Sequence, residues 1–374
     1  MAGKLSTHRS SRTALLIGGG APNSSLMAGA LVAFIERKLE FDVISTSGAG
    51  ALMGLLYQAP KDGDAIQALK AWSTVGVSDP IYELFPVNYK VFMKPGIAAD
   101  WYRNMLAHNP FTRPIVQSWS GEGISGFVGD WLRLILATLS PSDLSGQSLG
   151  MCAHLPFAEQ VIDFDAIAKI KPEFYINAYN VTQSEMTIWG KKEITPAHLR
   201  CAFSFPLIYP PYHLNGCDYI EGAAIDTLNF KALVSDDDRR PGCERDVDTL
   251  VIFDILGADK LIRTPRNLYD AWVQSIITPL VEIAKDDIRL FELLHNVDSD
   301  GSQKRRLLKV DLMGNIPTTY WPEIMDWSSS NLSYLYEIGH QAGHQFCDQH
   351  PELLPPAARV RQAAPAASIT ATIQ

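Results

Sequence analysis

The apolar positions along the chain change period several times, and those changes mark out elements. Residues 13-TALLIGGG-20 form a short apolar run ending in glycines, as a buried strand does on entering a turn. Ser24 or Ser25 then stands as N-cap to 26-LMAGALVAFIERKL-39, whose apolar residues recur at helical spacing. A second strand, 41-FDVIST-46, and a second helix, 50-GALMGLLYQ-58, complete a β–α–β–α run. Apolar strands alternating with helices predict an α/β fold of three layers, with a mainly parallel central sheet covered on both faces.

From about residue 75 to 160 the pattern gives way to dense proline and aromatic residues (80-PIYELFPVNYKVFM-93, 101-WYRNML-106, 110-PFTRPIVQSW-119) and then an apolar helix, 128-VGDWLRLILATL-139. This predicts an inserted cap or lid, with Trp101, Trp119 and Trp131 either lining a hydrophobic pocket or forming the cap's own core. Strand patterns resume at 173-EFYINAYNVT-182, 185-EMTIWG-190, 218-DYIEG-222 and 249-TLVIFDIL-256. Residues 234–246 read as a charged loop, and 266–294 as a long amphipathic helix interrupted near Pro279. A last helix, 331–347, precedes an Ala/Pro-rich tail, 351–374, whose composition predicts disorder. The expected organisation is a flexible start (1–12), a core domain (13–262), a helical extension packed on it (263–350) and the tail.

Composition narrows the function classes. A net charge of −9 argues against a nucleic-acid partner, since phosphate binding needs a basic surface. The five cysteines follow no disulfide or metal-ligand spacing, so a reducing compartment is expected. The first dozen residues lack the apolar core of a secretory leader, and no stretch reaches 18 uninterrupted apolar residues. A cytoplasmic protein is expected, with reversible peripheral membrane contact left open.

Two small-residue turns carry the candidate chemistry. Gly18-Gly19-Gly20 lies between a strand and a helix N-terminus, where backbone N–H groups favour negative charge. As a dinucleotide fingerprint it fails. The third glycine is Asn23, and the acidic residue expected at the end of the second strand is missing, so no cofactor is expected. As an oxyanion hole it needs only amides aimed at a developing alkoxide. The second turn, 45-STSGAGALMG-54, sits where a G-x-S-x-G elbow mounts a nucleophile, yet neither Ser47 nor Gly48 completes that pattern. His340 and His344, four apart on the last helix, have metal-binding spacing, but no third ligand is near in sequence and no metal is expected. Asp226 either pairs with Glu221 or caps a following helix. His198 and His213 flank the same region without a placeable role, and Cys201 reads as a small core residue.

The order of GGGA plus helix, strand plus small-residue elbow, and 200-RCAFSFPLIYPPYHLNGCDYIEGA-223 resembles the patatin-like phospholipase family, over roughly residues 13–75 and 160–262. The most specific portion is Ala202, Pro206 and Pro210 leading into Tyr219-Ile220-Glu221-Gly222-Ala223. The resemblance implies a lipid acyl hydrolase. A glycine-rich loop supplies its oxyanion hole, and its G-x-S-x-G serine works with the aspartate of an Asp-Gly-Gly/Ala motif. The register that aligns Gly29 and Gly50 with the family's glycines places Gly48 at the nucleophile and Glu221 at the dyad aspartate. Asn23-Ser24, with Pro22 before them, stand where the loop usually carries Arg-Gly.

Loss of the serine removes about six orders of magnitude of turnover in a serine hydrolase, which closes an acyl-enzyme route through residue 48. Glutamate reaches roughly 1.5 Å further than aspartate, and Gly48 opens the space the serine side chain would take. A carboxylate in that gap is expected to have a pKa raised by desolvation and to act as general acid or base. The amides of Gly18, Gly19 and Gly20, with Asn23, would hold the oxyanion. The expected substrate is a long-chain lipid ester or acyl thioester. The alternatives are a conventional hydrolase using Ser47 and a lipid-binding protein without turnover.

Overall fold

The computed structural model describes residues 12–20, 23–75, 158–206, 209–234, 246–266 and 268–356, with 108–110, 128 and 131. Most of the expected 75–160 cap, including Trp101 and Trp119, lies outside these residues, as does the tail from 357 onward. Trp131 is exposed.

Among the described residues there are eight strands: β1 (Arg12–Ile17), β2 (Val43–Thr46), β3 (Glu173–Asn180), β4 (Glu185–Gly190), β5 (Tyr212–Leu214), β6 (Cys217–Glu221), β7 (Val247–Phe253) and β8 (Arg306–Lys309). They form one sheet in the order β5-β6-β3-β2-β1-β7-β8, with β4 also paired to β3. Its centre is parallel: β3–β2, β2–β1, β1–β7 and β7–β8 all run the same way. In β1, Leu15 and Ile17 enter one core while Ala14 and Leu16 enter the other, so both faces are buried and the run reads as continuously apolar. This is the mixed α/β architecture that the alternation of elements predicts.

Among the described residues the longer helices are α1 (Ser24–Glu36), α2 (Ala49–Gln58), α3 (Ala65–Trp72), α4 (Pro196–Phe203), α5 (Leu268–Leu290) and α6 (Ser329–Gln349), with short turns between them. Three features depart from expectation. Helix α5 is continuous through Pro279. Proline forfeits one N–H bond and crowds the carbonyl four residues back. Both Pro279 and Ser275 are on the solvent side, so water can satisfy that carbonyl, while Ile276, Ile277, Leu280 and Val281 hold the opposite face in the core. Strands β5 and β8, only three and four residues long, have no marked apolar pattern. The tail also begins later than its composition suggests, since Pro351–Leu353 form a turn and Leu354 is buried.

Helix α6 lies against α1 with its backbone nearly touching. A Cβ on Gly29 would come within 2.6 Å of the His340 nitrogen and overlap the Tyr336 carbonyl oxygen. A Cβ on Gly339 would overlap the Leu26 carbonyl oxygen and come within 2.6 Å of its carbon. Neither obstacle is a movable side-chain end, so Gly339→Ala is expected to destabilise the protein by about 3 kcal/mol, visible as a lowered urea midpoint at unchanged slope.

Candidate active site

Strand pairing brings the two candidate segments together. β2 and β6 share one edge of β3: Thr46, the last residue of β2, pairs with Ile176, and Glu221, the last of β6, pairs with Ala178. β6 runs antiparallel to β3, so the two strand ends meet head to head across Asn177. Residues 46–48 therefore face 221–223, although about 175 positions separate them in sequence.

Gly48 forms the apex of the β2–α2 turn, with φ 50° and ψ −127°. Side-chain-bearing residues rarely adopt this conformation, and it is strained where they do. An ideal Cβ on Gly48 would overlap Oε1 of Glu221 and lie 3.0 Å from both Glu221 Cδ and Ala223 Cβ. The glutamate carboxyl thus fills the volume that a side chain at the apex would take. Gly50, two residues on, is held equally tightly, because a Cβ there would lie 2.6 Å from the Gly18 carbonyl oxygen.

Glu221 is 8% exposed, and its carboxyl makes no hydrogen bond among the described residues. Burial alone pushes its pKa from 4.5 up to about 8. At neutral pH this carboxyl is largely protonated. Ser47 is oriented differently. It is fully buried, its Oγ–H donates to the Asp226 carbonyl at 2.9 Å, and its N–H donates to Ile17 O.

The segment carrying that acceptor is strapped down on several sides. Asn177 Nδ2 donates to Asp226 O, Ser45 Oγ to Asn229 O, and Asn229 Nδ2 to Thr46 O. Asp226 Oδ1 accepts the Asn229 N–H at 2.9 Å, and its Oδ2 lies 3.9 Å from Lys231 Nζ. Asp226 therefore braces its own turn. Burial raises its pKa above the usual carboxylate value, with Lys231 opposing. Asp287, from α5, accepts both the N–H and the Oγ–H of Thr227 at 2.7 Å. Its pKa is pushed to about 6 by burial and by the Asp226 charge. Asp287 carries no motif, and only the fold reveals its role.

The glycine loop is less open than its sequence suggests. Gly18 N–H donates to Phe253 O and Gly19 N–H to Thr227 O, both at 3.1 Å. Those two amides are spent anchoring the loop, which corrects the expectation that all three glycines offer free donors. Gly20 N–H makes no hydrogen bond among the described residues. The loop still adjoins the carboxyl, since a Cβ on Gly19 would lie 3.8 Å from Glu221 Oε1. Asn23 begins α1 with a wholly buried side chain, and neither Oδ1 nor Nδ2 has a hydrogen-bond partner.

The remaining candidates have partners of their own. His198 bonds Thr195 Oγ1 and packs edge-on to Trp189, and burial lowers its pKa. His213 bonds Asp218 on the surface. Cys201 is buried, and its thiol is pushed up to about 12. His340 and His344 both bond Glu36 of α1 at 2.9 Å, a third donor that sequence spacing cannot show.

A mainly parallel α/β sheet, with a sharp strand–turn–helix elbow beside a glycine loop, defines the scaffold on which acyl hydrolases are built. The family model described as patatin-like phospholipase matches residues 15–234, more than half of the chain, and the chain belongs to that family. This is a family that acts on lipid substrates. Curated protein sequences give no match. Among solved structures the chain is similar to VipD from Legionella pneumophila at 14% identity and a TM-score of 0.34, over 91% of this chain and 67% of that one. Among the described residues, no helix is long and apolar enough to cross a membrane.

Proposed function

We propose that the protein processes a long-chain acyl substrate, a lipid ester or acyl thioester, without forming a serine acyl-enzyme. Glu221 is the general acid/base in this reading, with the Gly20 amide and the Asn23 side-chain amide as donors to the developing oxyanion. One observation supports it: the Glu221 carboxyl fills the volume that a side chain at residue 48 would take, and burial pushes its pKa up to about 8. Family membership supports the acyl substrate. The unpartnered Asn23 amide supports a donor role, because a buried polar group without a partner is costly to keep. Commitment of the Ser47 hydroxyl to Asp226 O weighs against Ser47 as nucleophile. Peripheral contact with a membrane surface would give such a site access to lipid.

Turnover of a medium- or long-chain acyl ester, measured alongside labelling by a fluorophosphonate probe, tests the proposal. Wild type is expected to turn over substrate without being labelled. Ser47→Ala is expected to retain turnover within about tenfold while losing about 1 kcal/mol of stability with its buried hydrogen bond. Glu221→Gln is expected to lose at least about 100-fold, the usual share of a general acid or base. Labelling that disappears in Ser47→Ala would establish the serine route instead. Acyl chains that co-purify with a protein devoid of turnover would establish lipid binding alone.

A further inference from the structure

We propose that Glu36, His340 and His344 form a binding site for a zinc-class divalent metal ion, one that ties α6 to α1. The site is separate from the elbow and does not depend on the reading of Glu221. His340 and His344 are one turn apart on α6, with ring centroids 4.7 Å apart, and both direct Nε2 at the same oxygen, Oε2 of Glu36, at 2.9 Å. The three donor atoms lie within 4.8 Å of one another. In a tetrahedral zinc site, with bonds of about 2.0–2.2 Å, donors sit about 3.4 Å apart, so shifts of about an ångström suffice.

The donor set has the right chemistry. Two imidazoles and one carboxylate suit zinc, cobalt, nickel or copper, and with three protein ligands the fourth position is left to water. Each ring would bind the metal through the Nε2 lone pair of the tautomer that carries its proton on Nδ1.

The scaffold beneath the site is rigid. The glycine contacts at Gly29 and Gly339, and a third at Gly343, where a Cβ would lie 2.8 Å from the Ala30 carbonyl oxygen, fix α6 on α1 directly below the donors. Sites built on packed helices hold their geometry better than sites on loops. Glu36 lies within the family-matched residues, whereas both histidines lie beyond residue 234. The metal would therefore pin α6 to α1, the helix that follows the glycine loop.

The test uses untagged full-length protein, stripped with a chelator and titrated with Zn²⁺ by calorimetry. A second titration uses Co²⁺ and visible absorption. One equivalent of Zn²⁺ is expected to bind and raise Tm. Co²⁺ is expected to give the visible bands of a four- or five-coordinate N/O site, without the sulfur-to-metal band that cysteine ligation would add. Glu36→Gln, His340→Gln and His344→Gln are each expected to weaken binding at least about tenfold. Unchanged zinc affinity in the three variants, or a wild-type Co²⁺ spectrum no different from the aqueous ion, would overturn the proposal. The wild-type spectrum stands as a test even if a variant folds poorly.

Discussion

Gly48→Ser is expected to destabilise the protein by about 2–6 kcal/mol and to remain unlabelled by fluorophosphonates, whereas Gly48→Ser combined with Glu221→Asp is expected to recover part of that loss and become labelled. Two costs add in the single variant. A side chain at φ 50° and ψ −127° is strained by about 1–3 kcal/mol. Its Cβ also meets the Glu221 carboxyl, an overpacking cost of about the same size. Shortening the acid by one methylene removes the second cost and leaves the first. The two substitutions should therefore couple favourably by about 1–3 kcal/mol, measurable as a double-mutant cycle in urea.

Labelling of the double variant would follow because a hydroxyl at the apex then faces a carboxylate of the family's own length, the arrangement by which a Ser–Asp pair activates its nucleophile. A single Gly48→Ser variant as stable as wild type would show that the carboxyl does not fill the apex. A folded double variant that never labels would show that the elbow lacks an activated geometry.

The second large effect is on the pH dependence of stability. Glu221 has its pKa raised from 4.5 to about 8 in the folded protein, so the folded state holds this proton more tightly than the unfolded chain does. Below about pH 4.5 both states are protonated and burial of the neutral acid carries no ionisation penalty. Between 4.5 and 8 only the unfolded state ionises, and stability falls by about 1.4 kcal/mol per pH unit. Above 8 the loss is complete, at about 3–5 kcal/mol. Glu221→Gln cannot ionise and should escape this decline. The variant and the wild type are thus expected to unfold at similar urea concentrations near pH 4.5 and to diverge steadily up to pH 8.5, the variant being the more stable. Asp226 and Asp287 titrate in both proteins, so the difference between the two curves isolates Glu221. Parallel curves would mean that this carboxyl is already ionised or partnered.

The same titration bears on chemistry. Turnover that rises through pH 8 would mark Glu221 as a base, and turnover that falls there would mark it as an acid.

Local pattern was enough for the first half of the site. The apolar run of β1, the glycines after it, and the small-residue turn between β2 and α2 are all legible, because strand and helix periods are properties of neighbouring residues. The absence of a side chain at Gly48 is equally plain. Pro279 misled for the opposite reason: its local cost is real, but the buried face of α5 outweighs it. β5 and β8 are not legible in the sequence because three or four residues are too few to show a period.

Sequence alone determined that a mainly parallel α/β sheet would form, that residue 48 of the β2–α2 turn has no side chain, and that the segment 218-DYIEG-222 carries a glutamate. Only the tertiary structure decided that this acid fills the gap, that Gly18 and Gly19 spend their amides on the loop's anchorage, and that Glu36 closes on two histidines some 300 positions away. Those outcomes depend on which strand ends abut and which helix backbones touch. Such contacts are set by packing between distant segments, and no local periodicity encodes them.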